Sequence, residues 1–407
     1  MAELVAAGQK RDVKVISLIG LAHSFSHFYQ LVPPTLFPFL HAEFDVSYTN
    51  LAALMTLFYV ASGLSQTPAG FLVDRVGARA VLFGGLALVA GSVGLMATVT
   101  WFWLFAPLAV LAGIGNSVFH PADYSILTAS VSPQRIGRAY GAHTLGGNLG
   151  WAVPPLAMLS LALLVGWRWA LVVASGAGFV ALAILLANRH LLRDDRRPQP
   201  VETPVLAARP ALDTLLSAPI LMCFGYFVML AMALVAIQNF LPSLLTTTQA
   251  MLKETAGAVL TGFLLGSSLG IAFGAVLADR SQKHGRIVAV GLTSAAALFI
   301  MVGSFNLPVV ALFAVITSAG ILSGVTTPSR DMLVRGATPK GAAGKVFGFV
   351  YSGLDAGSAI GPLVVGILLD HGKPQLVYWL IALVLLAAIF SAVNLGRSNR
   401  AAAAAVS

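Results

Sequence analysis

The sequence predicts an all-α membrane protein, with twelve transmembrane helices arranged as two pseudo-symmetric six-helix bundles. Three observations predict this fold class. Hydrophobic residues make up 58% of the 407 residues and charged residues only 10%, which is more apolar surface than a soluble domain can bury. The apolar runs are long enough to cross a bilayer as helices. The glycine and proline pattern of the first half also returns in the second half, as in transporters built from repeats.

The predicted spans follow from the length of the apolar runs. A helix rises about 1.5 Å per residue and needs about 20 residues to cross a hydrocarbon core of about 30 Å. Barrel strands of about ten alternating residues are not favoured, because the runs are long and continuous. Twelve windows qualify in chain order: 14–40, 47–73, 79–98, 102–130, 138–165, 168–189, 214–246, 254–278, 286–304, 308–335, 342–369 and 375–396.

The repeat and a proline-rich segment divide the chain. The pattern from Gly115 to Pro121 returns about 207 residues later, between Gly320 and Pro328. Between the halves, residues 190–212 contain a charged run and four prolines, which forbid both a membrane span and a continuous helix. The sequence therefore predicts an N-terminal bundle over 1–189, a cytoplasmic linker over 190–212 and a C-terminal bundle over 213–407.

Basic residues predict the orientation. If residues 1–13 are cytoplasmic, 20 of the 24 lysines and arginines lie in cytoplasmic segments, and the opposite side holds only Arg168, Lys253 and Lys373. Both termini are thus predicted to be cytoplasmic, in a bacterial-type inner membrane and without a cleavable signal. The net charge of +9 is explained by topology and by attraction to anionic lipids, so nucleic-acid binding is not predicted.

Catalytic signatures are missing from the sequence. It has no phosphate-binding loop of the G-x-x-x-x-G-K-[ST] type, and its scattered intramembrane histidines and aspartates do not define a nucleophile, base and acid. The single cysteine, Cys223, cannot form an intramolecular disulfide. An enzyme and an ATP-driven pump are therefore not predicted, and neither is a cofactor.

A loop motif carries a resemblance to a known family. The segment from Gly70 to Arg79, GFLVDRVGAR, resembles the G-x-x-x-D-R-x-G-x-[RK] signature of the major facilitator superfamily, and the resemblance extends over essentially the whole chain. A degraded copy lies at 277–280. The resemblance implies a charge network at the inward gate, and the alternative is a set of ordinary topogenic charges at helix ends. The gate residues implied are Asp74, Arg75, Arg79, Asp279 and Arg280.

Motifs in spans four and five are similar to those of one branch of this superfamily. Gly113 to Pro121, GIGNSVFHP, is followed by GGNLG at 146–150 and by Pro155. This pairing is similar to the V-F-H-P and G-G-N-x-G pairing of the fosmidomycin-resistance branch of drug exporters. Small residues at four-residue spacing also let helix backbones approach closely, so the same glycines have a packing role.

Charged residues at membrane depth are candidate functional groups. Asp123, Arg330, Asp331 and Asp355 lie inside apolar runs, where a charge costs at least about 2.5–3.5 kcal/mol unless it meets water or a partner. At the offset of 207 residues, Asp123 corresponds to Arg330 and Asn148 to Asp355. The sequence favours a pair of Arg330 with Asp123 or Asp355. A purely structural ion pair is the alternative.

Histidines form a second group. His23 and His27 are four residues apart and share a helix face, His120 precedes Pro121 in span four, and His143 lies in span five. Three interpretations stay open: structural hydrogen bonding, proton handling and metal binding. Metal binding is the least favoured, since no cysteine cluster or carboxylate–histidine spacing accompanies them, and no metal site is predicted. The predicted proton-coupling residues are Asp123, Asp355, His120 and His143.

The predicted function is proton-coupled secondary transport by alternating access. The leading hypothesis is export of a small organic compound in exchange for protons, and the alternative is import of an organic anion with protons, anchored by Arg330. A receptor or scaffold with a transporter fold is a third class. The expected partners are a small molecule, protons and lipids, with one chain sufficient. The predicted substrate-binding residues are His23, His27, Tyr29, Gln30, Tyr124, Asn148, Gln238, Asn239, Arg330, Asp331 and Tyr351.

Overall fold

The computed structural model describes the backbone of residues 2–132, 135–193, 215–281, 283–338 and 343–404. All regular structure in these residues is helical. The predicted linker lies outside the described residues from position 194 onward, and so does the side chain of Asp279. Each of the twelve predicted spans falls on one helix or on two consecutive helices.

Nine α-helices are described in the first half of the chain. Predicted spans one, four and five are each divided into two helices, at Leu36, at Ser117 and Val118, and at Val153. The break at Val153 precedes Pro154 and Pro155, which lack the N–H that would continue the helical ladder. The helices are α1 Ala2–Thr35, α2 Phe37–Phe44, α3 Tyr48–Val76, α4 Ala78–Met96, α5 Phe105–Asn116, α6 Phe119–Ser130, α7 Ile136–Ala152, α8 Pro154–Val165 and α9 Trp167–Ala187.

Six long helices are described in the second half. Predicted spans seven, ten and eleven contain Pro242, Pro328 and Pro362, yet each runs as one α-helix of 28 to 31 residues. The helices are α10 Ala218–Thr248, α11 Lys253–Arg280, α12 His284–Ser304, α13 Val309–Ala337, α14 Ala343–Asp370 and α15 Gln375–Ala404.

Eleven segments of the described chain are long and apolar enough to span a membrane by length and composition. The twelfth predicted span is α3, a helix of 29 residues that is not among the eleven. Its sequence explains why, because α3 carries Asn50, Gln66, Asp74 and Arg75 along with several hydroxyl side chains. The described chain is therefore a multi-pass helical membrane protein, in which α3 is a long helix of mixed polarity.

The helices pack into two compact units. Unit 1 contains Met1–Val46 and Leu57–Val201, and unit 2 contains Ser47–Thr56 and Glu202–Ser407. The core of unit 1 is formed by fully buried aromatic side chains such as Tyr29, Phe37 and Phe119. The core of unit 2 contains the fully buried side chains of Phe227, Phe263 and Tyr378.

The first turn of α3 belongs to unit 2. Asp370, the last residue of α14, accepts the backbone N–H groups of Tyr48 and Thr49 at 2.7 and 2.9 Å. These are N–H groups that a helix start leaves without intrahelical partners, so the Asp370 carboxylate caps α3 from another helix. Two turns on, Thr56 Oγ1 donates to the Ala359 carbonyl at 2.7 Å. The predicted division at 190–212 assigns residues 47–56 to the N-terminal bundle and does not anticipate that they group with unit 2.

Candidate functional site

Five titratable side chains meet inside unit 1. Helix α1 supplies His23 and His27, α6 supplies His120 and Asp123, and α7 supplies His143. The spacings of four and three residues place each pair on one helix face, so two helices contribute two groups each. We call His23, His27, His120, Asp123 and His143 the histidine–aspartate cluster.

Asp123 lies at the centre of the cluster. Its side chain is completely buried, and so are those of His23 and His143, at 2–3% exposure. Asp123 Oδ2 is 3.1 Å from His143 Nε2, within hydrogen-bond distance, and 3.4 Å from His23 Nδ1. An ionised carboxylate only accepts hydrogen bonds, so His143 is the donor whenever Asp123 is charged. Asp123 Oδ1 is buried and has no hydrogen-bond partner among the described residues.

The imidazole rings form a continuous group around His23. The ring of His23 stacks on His143, with centroids 3.5 Å apart and planes inclined by 22°. The His27 and His120 rings lie 4.6 and 5.1 Å from His23, inclined by 55° and 64°. Burial falls along this series, because His27 is half-buried and His120 is exposed. The cluster therefore connects a buried carboxylate with an accessible imidazole.

Glycines of α7 allow the cluster to form. A Cβ atom at Gly146 or Gly150 would lie 2.8 or 2.1 Å from the backbone oxygens of Gly20 or Ser24, so these glycines permit close packing of α1 and α7. A Cβ atom at Gly147 would lie 2.9 Å from His23 Nε2 and 2.8 Å from His27 Cε1. Gly147 thus leaves room for the two ring edges. The glycine-rich segment at 146–150 therefore permits both the close approach of the α1 and α7 backbones and the placement of the α1 histidine rings.

Polar groups extend the cluster along α1. Ser26 Oγ donates to Asn116 Oδ1 at 2.7 Å, and Asn116 Nδ2 donates to Ser62 Oγ at 3.1 Å. On the next turn, Trp151 Nε1 donates to Gln30 Oε1 at 3.1 Å, and the Trp151 ring lies 4.1 Å from the ring of His27.

Sequence reasoning missed Trp151 and Asn116. Asn116 follows Gly115 in the first motif that carries the resemblance, and Trp151 follows Gly150, the last residue of the second motif. That position is the signal that could have identified them.

Some residues predicted to bind substrate have other surroundings. Tyr29 is 1% exposed, and its hydroxyl donates to the Ala174 carbonyl at 2.9 Å, so in this structure it packs in the core. Tyr124 is 38% exposed and packs edge-on against Tyr140 at 5.0 Å, beside the cluster. Asn148 is half-buried on α7.

In unit 2, Arg330 pairs with its neighbour. Arg330 Nε donates to Asp331 Oδ1 at 2.9 Å, and the Tyr351 hydroxyl donates to the same oxygen at 3.0 Å. The guanidinium carbon lies 4.6 Å from the Phe227 ring centroid and 5.9 Å from that of Tyr351, which are cation–π distances. The expected Arg330–Asp355 pair does not occur among the described ion pairs, because Asp331 holds the guanidinium and Asp355 is exposed.

The expected Asp123–Arg330 pair joins two units that the structure describes separately, and it stays a prediction. Within its own unit, Asp123 has His143 and His23 as partners. Two further predicted residues, Gln238 and Asn239 on α10, are each 1% exposed. Gln238 Nε2 and both polar atoms of the Asn239 amide have no hydrogen-bond partner among the described residues.

The predicted gate residues lie at the junction of α3 and α4. Asp74 and Arg75 are exposed in the last turn of α3, and Arg79 Nη1 donates to the Arg189 carbonyl at 3.3 Å. Gly77, between the two helices, has φ of 98°, a conformation that favours glycine and explains the motif's second glycine. Arg280, in the degraded copy, is exposed at the end of α11.

The fold is that of a multi-pass helical membrane protein, and its first unit contains a buried polar cluster. The sequence pattern of the Major Facilitator Superfamily matches residues 18–253 and 240–405, and the chain belongs to this superfamily.

Proteins similar to this chain include a drug-resistance protein and a membrane sensor protein. It is 24% identical to the fosmidomycin resistance protein of Escherichia coli (strain K12) over 380 residues, 89% of this chain and 88% of that protein. It is 30% identical to the membrane sensor protein UhpC of Salmonella typhimurium (strain LT2) over 192 residues, which span 47% of this chain and only 42% of UhpC.

A solved structure shares the fold. The crystal structure of a bacterial homolog to the human lysosomal transporter Spinster, in an inward-facing and occupied conformation, has a TM-score of 0.76 at 14% identity, covering 96% of each chain. At this identity the likeness concerns the fold alone.

Proposed function

We propose that this transporter exports a small organic compound in exchange for protons, with the histidine–aspartate cluster as its proton-binding site. The observation that carries the proposal is the position of Asp123, a fully buried carboxylate in a membrane span, in contact with two buried imidazoles. A charge at this depth is costly, and intramembrane carboxylates with histidine partners are typical of proton relays. The similarity to a drug-resistance protein over most of the chain supports export.

The geometry limits how many protons the cluster holds. The rings of His23 and His143 lie face to face at 3.5 Å, so charging both at once brings two like charges into contact in an apolar environment. One proton shared among the two rings and the carboxylate balances the charge of Asp123. The exposed ring of His120, 5.1 Å from His23, supplies the route by which that proton exchanges with water.

Other polar and aromatic groups are assigned to the substrate. In unit 1 these are the half-buried His27 and Gln30, the exposed Tyr124, and Trp151, which bonds to Gln30. Large aromatic side chains with a few directed polar groups are typical of small-molecule sites. We also infer a bacterial cytoplasmic membrane and cytoplasmic termini from the distribution of basic residues.

The runner-up function is proton-coupled import of an organic anion. The observation that favours it is Arg330, a guanidinium in a membrane span that lies beside the contacting rings of Phe227 and Tyr351. Arginine binds carboxylates with two parallel hydrogen bonds, which suits an organic anion as cargo.

The decisive experiment replaces Asp123 by asparagine. Asp123→Asn keeps the shape and loses the exchangeable proton, so proteoliposomes with this variant should show no pH-gradient-driven transport. The assay measures proton release on addition of fosmidomycin and of a panel of organic acids, phosphonates and cationic drugs. Unchanged elution and circular dichroism establish that the variant folds.

Asp45→Asn is the matched control. Asp45 is exposed and ends α2 in a left-handed conformation that asparagine also adopts readily, so transport should match wild type. Full gradient-driven transport by the Asp123→Asn protein excludes Asp123 as the proton carrier.

A further inference from the structure

We propose that His23, His27 and His120 bind a divalent transition-metal cation of the zinc class. The inference concerns binding alone and does not depend on proton coupling. One donor atom from each of the three histidines lies within 4.8 Å of the other two. Two nitrogens bound to one tetrahedral zinc ion at about 2.0–2.1 Å are about 3.3 Å apart, so small rotations of the rings suffice.

The helix spacing suits a metal. His23 and His27 are four residues apart on α1, the spacing with which two histidines of one helix bind zinc in the H-E-x-x-H motif. His120 approaches from the first turn of α6. The Nδ1 atom of His27 is buried and has no hydrogen-bond partner among the described residues. A buried polar nitrogen without a hydrogen-bond partner costs free energy, and a bound cation would provide the missing partner.

Hydrogen bonding distinguishes this group from a second one. The donor atoms of His23, Asp123 and His143 also lie within 4.8 Å of one another. In that second group, His143 Nε2 already lies within hydrogen-bond distance of Asp123 Oδ2, at 3.1 Å. His27 Nδ1, by contrast, has no hydrogen-bond partner among the described residues, and its group includes the exposed ring of His120.

Asp123 then orients a ligand. Metal-binding histidines commonly present one nitrogen to the metal and the other to a carboxylate. His23 Nδ1 lies 3.4 Å from Asp123 Oδ2 without a hydrogen bond, so a small rotation of the ring would close this contact and leave Nε2 for the metal. Gly147 has no Cβ atom to crowd Nε2. Three protein ligands leave a fourth position for water, as in open zinc sites. The exposed ring of His120 provides access for the ion.

The test titrates the purified full-length protein in detergent with Co²⁺, which reports tetrahedral coordination by intense visible bands. We expect one Co²⁺ per chain, displaced by Zn²⁺. Loss of an outer-shell partner typically weakens metal binding by about 10–100-fold. His27→Gln and His120→Gln each remove a direct ligand, so each should weaken Co²⁺ binding by more than that. His143→Gln, which changes only a partner of Asp123, should have the smaller effect.

Two further variants keep the result interpretable. His371→Gln changes an exposed histidine in the turn after α14, whose Nδ1 contacts the Ile367 carbonyl, and it should bind Co²⁺ as wild type does. In a Cys223→Ala background, His120→Cys should keep the tetrahedral spectrum and gain a thiolate charge-transfer band that the Cys223→Ala parent lacks.

Either of two results overturns the proposal. One is a wild-type protein without a tetrahedral Co²⁺ spectrum. The other is a spectrum that survives in His27→Gln and His120→Gln but is lost in His143→Gln, which would assign the ion to the buried group of His23, Asp123 and His143.

Discussion

Arg330 is a cation held within the span formed by α13. Its side chain is 12% exposed, its charge is matched by Asp331, and two contacting aromatic rings lie beside the guanidinium. Such a group is either a structural element of unit 2 or an anchor for an anionic substrate. The two roles differ in what the loss of the positive charge does to ligand binding.

Arg330→Gln separates these roles. If Arg330 anchors an organic anion, the substitution removes hydrogen bonds to a charged group worth about 1.5–3 kcal/mol, which is a rise in Kd of roughly 10–150-fold. The measurement is equilibrium binding of candidate carboxylates to purified protein. Arg335→Gln, an exposed arginine in the last turn of the same helix, is the control. Equal affinity in the Arg330 variant and wild type counts against the anion hypothesis.

Residue spacing anticipated part of the cluster. The four-residue spacing of His23 and His27 indicates a shared helix face from sequence alone. The contact of Asp123 with His143 was not predictable, because it depends on how α6 and α7 are rotated against each other. The same holds for Arg330, whose partner was sought half a chain away and is its sequence neighbour.

Helices α1 and α7 form the scaffold of the cluster. They pack through Gly146 and Gly150, and at Gly150 a Cβ atom would lie 2.1 Å from the Ser24 carbonyl oxygen. Helix backbone cannot move away as a flexible side chain can. The separation of α1 from α7, and with it the position of the histidine rings, therefore depends on this glycine.

Gly150→Ala should destabilise the protein through this contact. Overpacking typically costs about 1–3 kcal/mol, and we expect a lower midpoint of thermal unfolding in detergent, with reduced transport. Gly141→Ala is the matched control in the same helix, since a Cβ atom there has nothing within 4 Å. Alanine is the better helix former, so the control should be neutral or slightly stabilising. Equal midpoints for the two variants would refute the packing role of Gly150.

The two halves of the molecule share a sequence pattern but differ in their helices. Spans one, four and five are interrupted, whereas the corresponding spans seven, ten and eleven are continuous despite their prolines. Interrupted helices at membrane depth are typical of transporter binding sites, and here the interruption at Ser117 and Val118 adjoins His120 of the histidine–aspartate cluster. The first half therefore holds the histidine–aspartate cluster, and the second half holds the pair of Arg330 and Asp331.

Thiol labelling tests the predicted orientation of the whole molecule. The only native thiol, Cys223, is buried and can be replaced by alanine. In that background, His190→Cys should react from the cytoplasmic side alone and Asn306→Cys from the opposite side alone, because both positions are exposed and lie in loops of opposite predicted side. Membrane-impermeant maleimide on intact cells and on inverted vesicles provides the measurement. A reversed pattern contradicts the predicted topology.

The sequence by itself determined the helical membrane architecture, the two-part repeat and the superfamily. These properties follow from the length and order of apolar runs and from local glycine and proline chemistry, which need no knowledge of distant contacts. Only the tertiary structure decided which polar groups meet. It brought Asp123 to His143 and His23, Trp151 to His27, and the first turn of α3 to Asp370, because such contacts depend on helix rotation and depth, which residue spacing along one helix does not encode.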